Sequence, residues 1–210
     1  MKRNIWSFGG VAASVVLIAI GIVAIVAATS GRSEVRGDIK REAIVGTPDM
    51  SPRAIVAEAK QAGLTNVSLP TCDVANKPIT TGTDAKCFAS YMRIHTLEAT
   101  GGKTYAEMPR YATTDGKGTN DVKAALVKNG RPVDNPKRDI WINETALTTA
   151  LNTSFFAERV SMFSLAMGIA LLLSGIGFLV LTIRLLMPAP RHENAEATRQ
   201  VAAASPAPTH

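Results

Sequence analysis

Residues 4–31, NIWSFGGVAASVVLIAIGIVAIVAATSG, contain no charged side chain, and neither do residues 160–183, VSMFSLAMGIALLLSGIGFLVLTI, which lie between Arg159 and Arg184. As helices rising 1.5 Å per residue these runs would extend about 40 Å and about 36 Å, against a bilayer hydrocarbon core of roughly 30 Å. A buried helix in a small soluble core rarely carries more than about 14 consecutive apolar residues. Both runs are therefore read as transmembrane helices, and the 210-residue chain as mainly α.

The first run has a competing reading. Met1-Lys2-Arg3, an apolar stretch and Val26-Ala27-Ala28 together have the layout of a cleavable secretory signal. The stretch from Val11 to Ala28 is longer than the usual apolar region of such signals, about 7–15 residues, which favours an uncleaved signal anchor. Orientation is not decided by charge. Lys2 and Arg3 precede the first helix while Arg32, Arg36, Lys40 and Arg41 follow it, and Arg159 precedes the second while Arg184, Arg191 and Arg199 follow it. The only two cysteines, Cys72 and Cys87, lie between the spans, and a disulfide there belongs in an oxidising compartment. Two free thiols in a cytoplasmic loop is the alternative. The disulfide reading puts the intervening domain outside the cytoplasm.

The formal net charge of +6 is not a nucleic-acid footprint: from Arg32 to Arg159 eighteen Lys/Arg are interspersed with fifteen Asp/Glu. Ser30 to Glu42, with alternating charges around Gly31 and Gly37, suggests a hydrated stalk. Ser51-Pro52 opens a short amphipathic helix with Ile55, Ala59 and Ala62 on one face and Gly63 at its end. A turn-rich segment from Leu69 to Thr83 holds Cys72. Asp84 then opens the best helix of the loop, with Phe88, Tyr91, Met92, His95 and Ala99 on one stripe and Gly101-Gly102 as its stop. From Tyr111 to Asp139 the composition reads as a flexible excursion, with a helical turn or two at Val122 to Val127. A last amphipathic pattern through Leu147, Ala150, Leu151, Ser154 and Phe155 predicts one continuous helix from about Glu144 through Leu186. The tail after Pro188-Ala189-Pro190 cannot bury a core.

His95 is the natural suspect for chemistry, yet on an apolar stripe a packed, hydrogen-bonded histidine is the commoner outcome. A zinc site lacks ligands near it, and a two-histidine, one-carboxylate iron site would need His192 or His210, which this topology puts across the membrane. Catalytic, cofactor and metal residues are accordingly set at none. Small residues at four-residue spacing, Gly10 and Ser14 in the first span, Ser164 and Gly168, then Ala166, Ala170 and Ser174, in the second, suggest close helix packing with each other or with a partner. Asn66, Asn143 and Asn152 each begin an Asn-x-Ser/Thr triplet.

Cys72, the string from Met92 to Gly102 (MRIHTLEATGG), Thr104-Tyr105-Ala106-Glu107, and the string from Glu144 to Phe155 (ETALTTALNTSF) with the apolar run after it resemble an uncharacterised family of actinobacterial two-span integral membrane proteins. Some members of that family carry an automatic label of aromatic ring-opening dioxygenase. The resemblance implies a host group and a two-span architecture and supplies no catalytic residue.

The expected organisation is a cytoplasmic N-terminus (1–3), a transmembrane signal anchor (4–31), an extracytoplasmic helical loop domain (32–143), the extracytoplasmic part of a long helix (144–159), a second transmembrane helix (160–187) and a disordered cytoplasmic tail (188–210). The second span is expected to extend into the loop domain. The expected role is a non-enzymatic accessory or scaffolding component of the cell envelope, in contact with the lipid bilayer and, through the small-residue faces, with a membrane-protein partner or a second copy. An extracytoplasmic sensor or ligand-binding module is the alternative, and a ring-opening dioxygenase the remote one.

Overall fold

The computed structural model describes residues 2–186. The tail expected to be disordered, with His192 and His210, lies outside the described residues. The chain is mainly helical: α1 (Lys2–Arg41), α2 (Pro52–Gln61), α3 (Gly82–Ala99) and α4 (Pro136–Leu186), with 3-10 turns at Tyr105–Glu107 and Val122–Ala124 and two short strands, β1 (Val127–Lys128) and β2 (Arg131–Pro132). Contacts divide it into two units, one of Met1–Val23 with Met167–His210, the other Ala24–Ala166.

In the first unit α1 and α4 run antiparallel. Gly10 faces Thr182, Gly175 faces Ile18 and Leu17, and Gly21 faces Gly168 and Leu172. The approach is close: a Cβ added to Gly21 would lie 2.8 Å from the Leu172 nitrogen, and one on Gly175 2.9 Å from the Ile18 nitrogen. Ser14 is fully buried, and its hydroxyl donates to the Gly10 carbonyl at 2.8 Å, so that hydroxyl is satisfied within its own helix. Outside the seam the apolar side chains are exposed, Val23 and Leu173 among them. α1 and α4 are each long and apolar enough to cross a membrane, with mean hydropathies of 2.9 and 2.3 in their most apolar windows. Only 17% and 11% of those windows is buried, the reverse of a soluble core helix.

The residues expected to pack, from their four-residue spacing, fall in different places. Gly10, Ser14 and Gly168 are in the seam, whereas Ala170 and Ser174 are exposed, and Ser164 is half-buried within the second unit. The seam follows a seven-residue step, Ser14 to Gly21 and Gly168 to Gly175, which is the repeat of helices packing side by side. Ala170, two residues beyond Gly168, is turned about 200° away from it on the helix.

The second unit has one apolar core, built from Ile39, Met50, Ile55, Ala59, Val74, Ile79, the inner face of α3, Met108, Trp141 and Leu151. α1 does not end at the membrane-length run: the stretch expected as a hydrated stalk is helical to Arg41, with Ile39 buried and Val35 packed on the core. Its charges are used rather than merely solvated. Glu158 of α4, its side chain only 6% exposed, accepts from Arg32 Nε at 3.1 Å, from Arg36 Nε at 2.7 Å and from the Gly82 backbone N–H at 2.7 Å. Burial alone would push the Glu158 carboxyl up, but the Gly82 N–H and the two guanidinium groups outweigh it and hold the carboxyl below the ordinary range. Gly82 is required here, since a Cβ would lie 2.7 Å from Phe155 Cα.

α2 begins as its sequence predicts, with Ser51 Oγ accepting from the Ala54 N–H and Pro52 in the first turn, and Gly63 follows its end at φ +68°. α3 starts two residues earlier than expected, because Thr81 and Asp84 form a capping box. Its buried face is broader than the predicted stripe: Ala85, Ile94 and Leu97 are buried, while Ala99 is exposed. Before α2, Gly46 donates to the Lys77 carbonyl and accepts from Asn76, and any side chain at Gly46 would strike the Val74 carbonyl.

The segment expected as a flexible excursion is hydrogen-bonded throughout. Tyr111 bridges both Thr119 and Asp134, and Asn129-Gly130, both at positive φ, close the β1–β2 hairpin. α4 begins at Pro136, eight residues before the expected Glu144. Asn135 caps it, its Oδ1 accepting from the Lys137 N–H at 3.1 Å and its Nδ2 donating to the Pro109 carbonyl at 3.0 Å. The extra turns bring Trp141 into the core, where its indole N–H donates to the Lys103 carbonyl at 2.8 Å.

Candidate functional site

Three segments of the second unit converge on His95. α3 carries His95 and, one turn on, Glu98; α2 carries Glu58; and the turn that feeds α2 carries Asp49. The turn is fixed locally, with Met50 donating to the Thr47 carbonyl and Ser51 to the Asp49 carbonyl. Ile55 and Ala59, buried against the core, set the rotation of α2 so that Glu58 lies at the edge of the α2–α3 contact.

His95 Nε2 lies 3.4 Å from Asp49 Oδ2 and 3.5 Å from Glu58 Oε1. One ligand atom from each of the three residues lies within 4.8 Å of the others. Neither contact to the imidazole has hydrogen-bond geometry: the buried His95 Nε2 and Asp49 Oδ1 are both without a hydrogen-bond partner. The packed, hydrogen-bonded histidine expected from the sequence is thus a half-buried one whose ring nitrogen is unsatisfied. Burial first, then the neighbouring Glu98 and Asp49 carboxyls, push Glu58 from 4.5 up to about 7. His95 is the only histidine among the described residues, so no second imidazole joins this set.

The arrangement can hold a proton or a cation between carboxylates. The neighbours of His95 here are carboxylates, and both cysteines are in use elsewhere: Cys72 and Cys87 form a disulfide, as their place in the loop predicted. That bond pins the turn-rich segment to the first turns of α3, where the Tyr91 hydroxyl also donates to the Cys72 carbonyl at 2.5 Å. The sequence gives no sign of the carboxylate cluster. Asp49 and Glu58 are far from His95 along the chain, and each taken alone is an ordinary polar residue near a helix start or on its solvent side.

A separate open groove, about 560 Å³, is lined by Tyr105, Trp141, Ile142, Thr145, Ala146 and Thr149. Comparison of the chain with protein-family models, curated proteins and solved structures finds no match.

Proposed function

We propose that this chain is an integral membrane protein of the cell envelope whose two long helices both cross the bilayer, with the disulfide-bonded domain between them on the extracytoplasmic side and a non-enzymatic accessory or scaffolding role. The observation that carries this reading is the exposure of apolar side chains around both long helices, beside a seam in which small residues already pair the helices. Lipid is the solvent that makes such a surface stable. The Cys72–Cys87 bond supports the extracytoplasmic side, because cytosolic thiols are kept reduced. The resemblance to two-span actinobacterial membrane proteins belongs to the same proposal, and the presence of only one histidine, His95, between the two spans speaks against the ring-opening label that some of them carry.

An accessory protein works through a partner or a second copy. Mild-detergent purification of the full chain after crosslinking in cells is expected to return a defined complex of higher mass. Monomer alone, at native as well as raised expression, would overturn the scaffolding role. A second reading, an extracytoplasmic ligand-binding module, is favoured by the open apolar groove beside Trp141.

A further inference from the structure

We propose that Asp49, Glu58 and His95 form a binding site for one divalent transition cation, of the zinc or manganese class, that ties the turn before α2 and α2 itself to α3. Such a site is independent of the accessory role, and the spacing, the unsatisfied atoms and the ligand chemistry all point to it.

Ligands held about 2.0–2.2 Å from a common ion are separated from one another by roughly 3.0–3.5 Å in tetrahedral or octahedral arrangements. The imidazole Nε2 sits 3.4 Å from one carboxylate oxygen and 3.5 Å from the other, which matches that separation and is too long for good hydrogen bonds. Buried polar atoms are normally paired, yet His95 Nε2 and Asp49 Oδ1 are buried without a partner in one place. A cation among them would give His95 Nε2 the partner it lacks, would also engage Asp49 Oδ1 if that carboxylate bound through both oxygens, and would neutralise carboxylates that otherwise repel one another. One imidazole with two carboxylates is a mixed nitrogen and oxygen set, suited to zinc or manganese more than to magnesium or calcium, which prefer oxygen alone. Three protein ligands leave room for water to complete the coordination.

The ligands come from α3, α2 and the preceding turn, so binding is expected to stabilise the domain rather than to start a reaction. The test uses the full chain purified in detergent, stripped with a chelator and titrated with Zn²⁺, Mn²⁺ and Mg²⁺. The expected result is binding of one Zn²⁺ or Mn²⁺ per chain, a rise in melting temperature, and weaker response to Mg²⁺. His95→Asn, Asp49→Asn and Glu58→Gln should each weaken binding at least ~10-fold, while Asp73→Asn, an exposed carboxylate elsewhere, should not. A variant that failed to fold would leave the spectroscopic arm. Bound Mn²⁺ should show nitrogen modulation in its electron spin echo in a chain carrying His192→Asn and His210→Asn. No binding, binding unchanged by all three ligand substitutions, or Mn²⁺ with no nitrogen neighbour in that chain would overturn the site and leave a histidine packed beside two carboxylates.

Discussion

Replacing Glu158 by Ala is expected to lower the stability of the domain by about 2–4 kcal/mol, near the lower part of the range for breaking a buried ion pair. The carboxylate is the shared acceptor of three donors from two other elements, Arg32 and Arg36 of α1 and the Gly82 N–H at the start of α3. Its loss leaves a buried N–H unpaired and two guanidinium groups side by side. The arginines, 39% and 36% exposed, can turn to water, which is why the effect stays below the full cost of an orphaned buried charge. At roughly 4 °C per kcal/mol for a domain of this size the melting temperature should fall by about 8–16 °C. Fluorescence of Trp141, in a chain with Trp6→Phe, reports it, because Trp141 is buried in the domain core.

The same carboxylate gives the domain an acid limit. Glu158 titrates lower when folded than its ordinary 4.5, so its contribution is complete above that value and is lost as pH falls through the folded pKa. Glu58 acts in the opposite sense. Raised to about 7, it contributes fully below 4.5 and loses that contribution as pH rises through about 7. In chelator-treated protein Glu58→Gln should flatten the neutral side of the stability profile, and Glu158→Ala the acid side.

Removing the disulfide, by Cys72→Ala with Cys87→Ala, is expected to cost about 3 kcal/mol, the loop-closure entropy for a separation of 15 residues. The consequence should be local first. The tether holds a turn-rich segment whose anchors are Val74 and Ile79, both buried, and the Tyr91 hydroxyl bond to the Cys72 carbonyl. Hydrogen exchange at the Asn76, Lys77 and Ile79 amides, which are hydrogen-bonded to the backbone, should accelerate more than exchange in the middle of α3. Uniform acceleration across the domain would show that the segment and the core open as one unit.

Much of this molecule is legible in its sequence because the signals are local. Uninterrupted apolar runs mark α1 and α4, Ser51-Pro52 marks the start of α2, and the cysteine positions mark the disulfide. Some misses were also local and readable: Asn135-Pro136 is a helix start, and Asn129-Gly130 between short extended stretches is a hairpin turn. Others depend on tertiary structure. The residues from Gly31 to Arg41 look like a solvated stalk until Glu158, more than a hundred positions on, pairs with Arg32 and Arg36. Ala170 and Ser174 have the right size and spacing for a seam, yet only the helix partner decides which face is the inner one. The carboxylate cluster at His95 is the extreme case, because three separate segments must fold before its atoms meet.

The two-span, outside-domain account is tested most directly by a membrane-impermeant maleimide on intact cells, before and after reduction with a likewise impermeant phosphine. Cys72, exposed at the domain surface, is the reporter. No labelling is expected at first, and labelling of intact cells is expected once the disulfide is reduced. Labelling that needs lysis and no reductant would contradict it, placing free thiols and the whole domain in the cytoplasm.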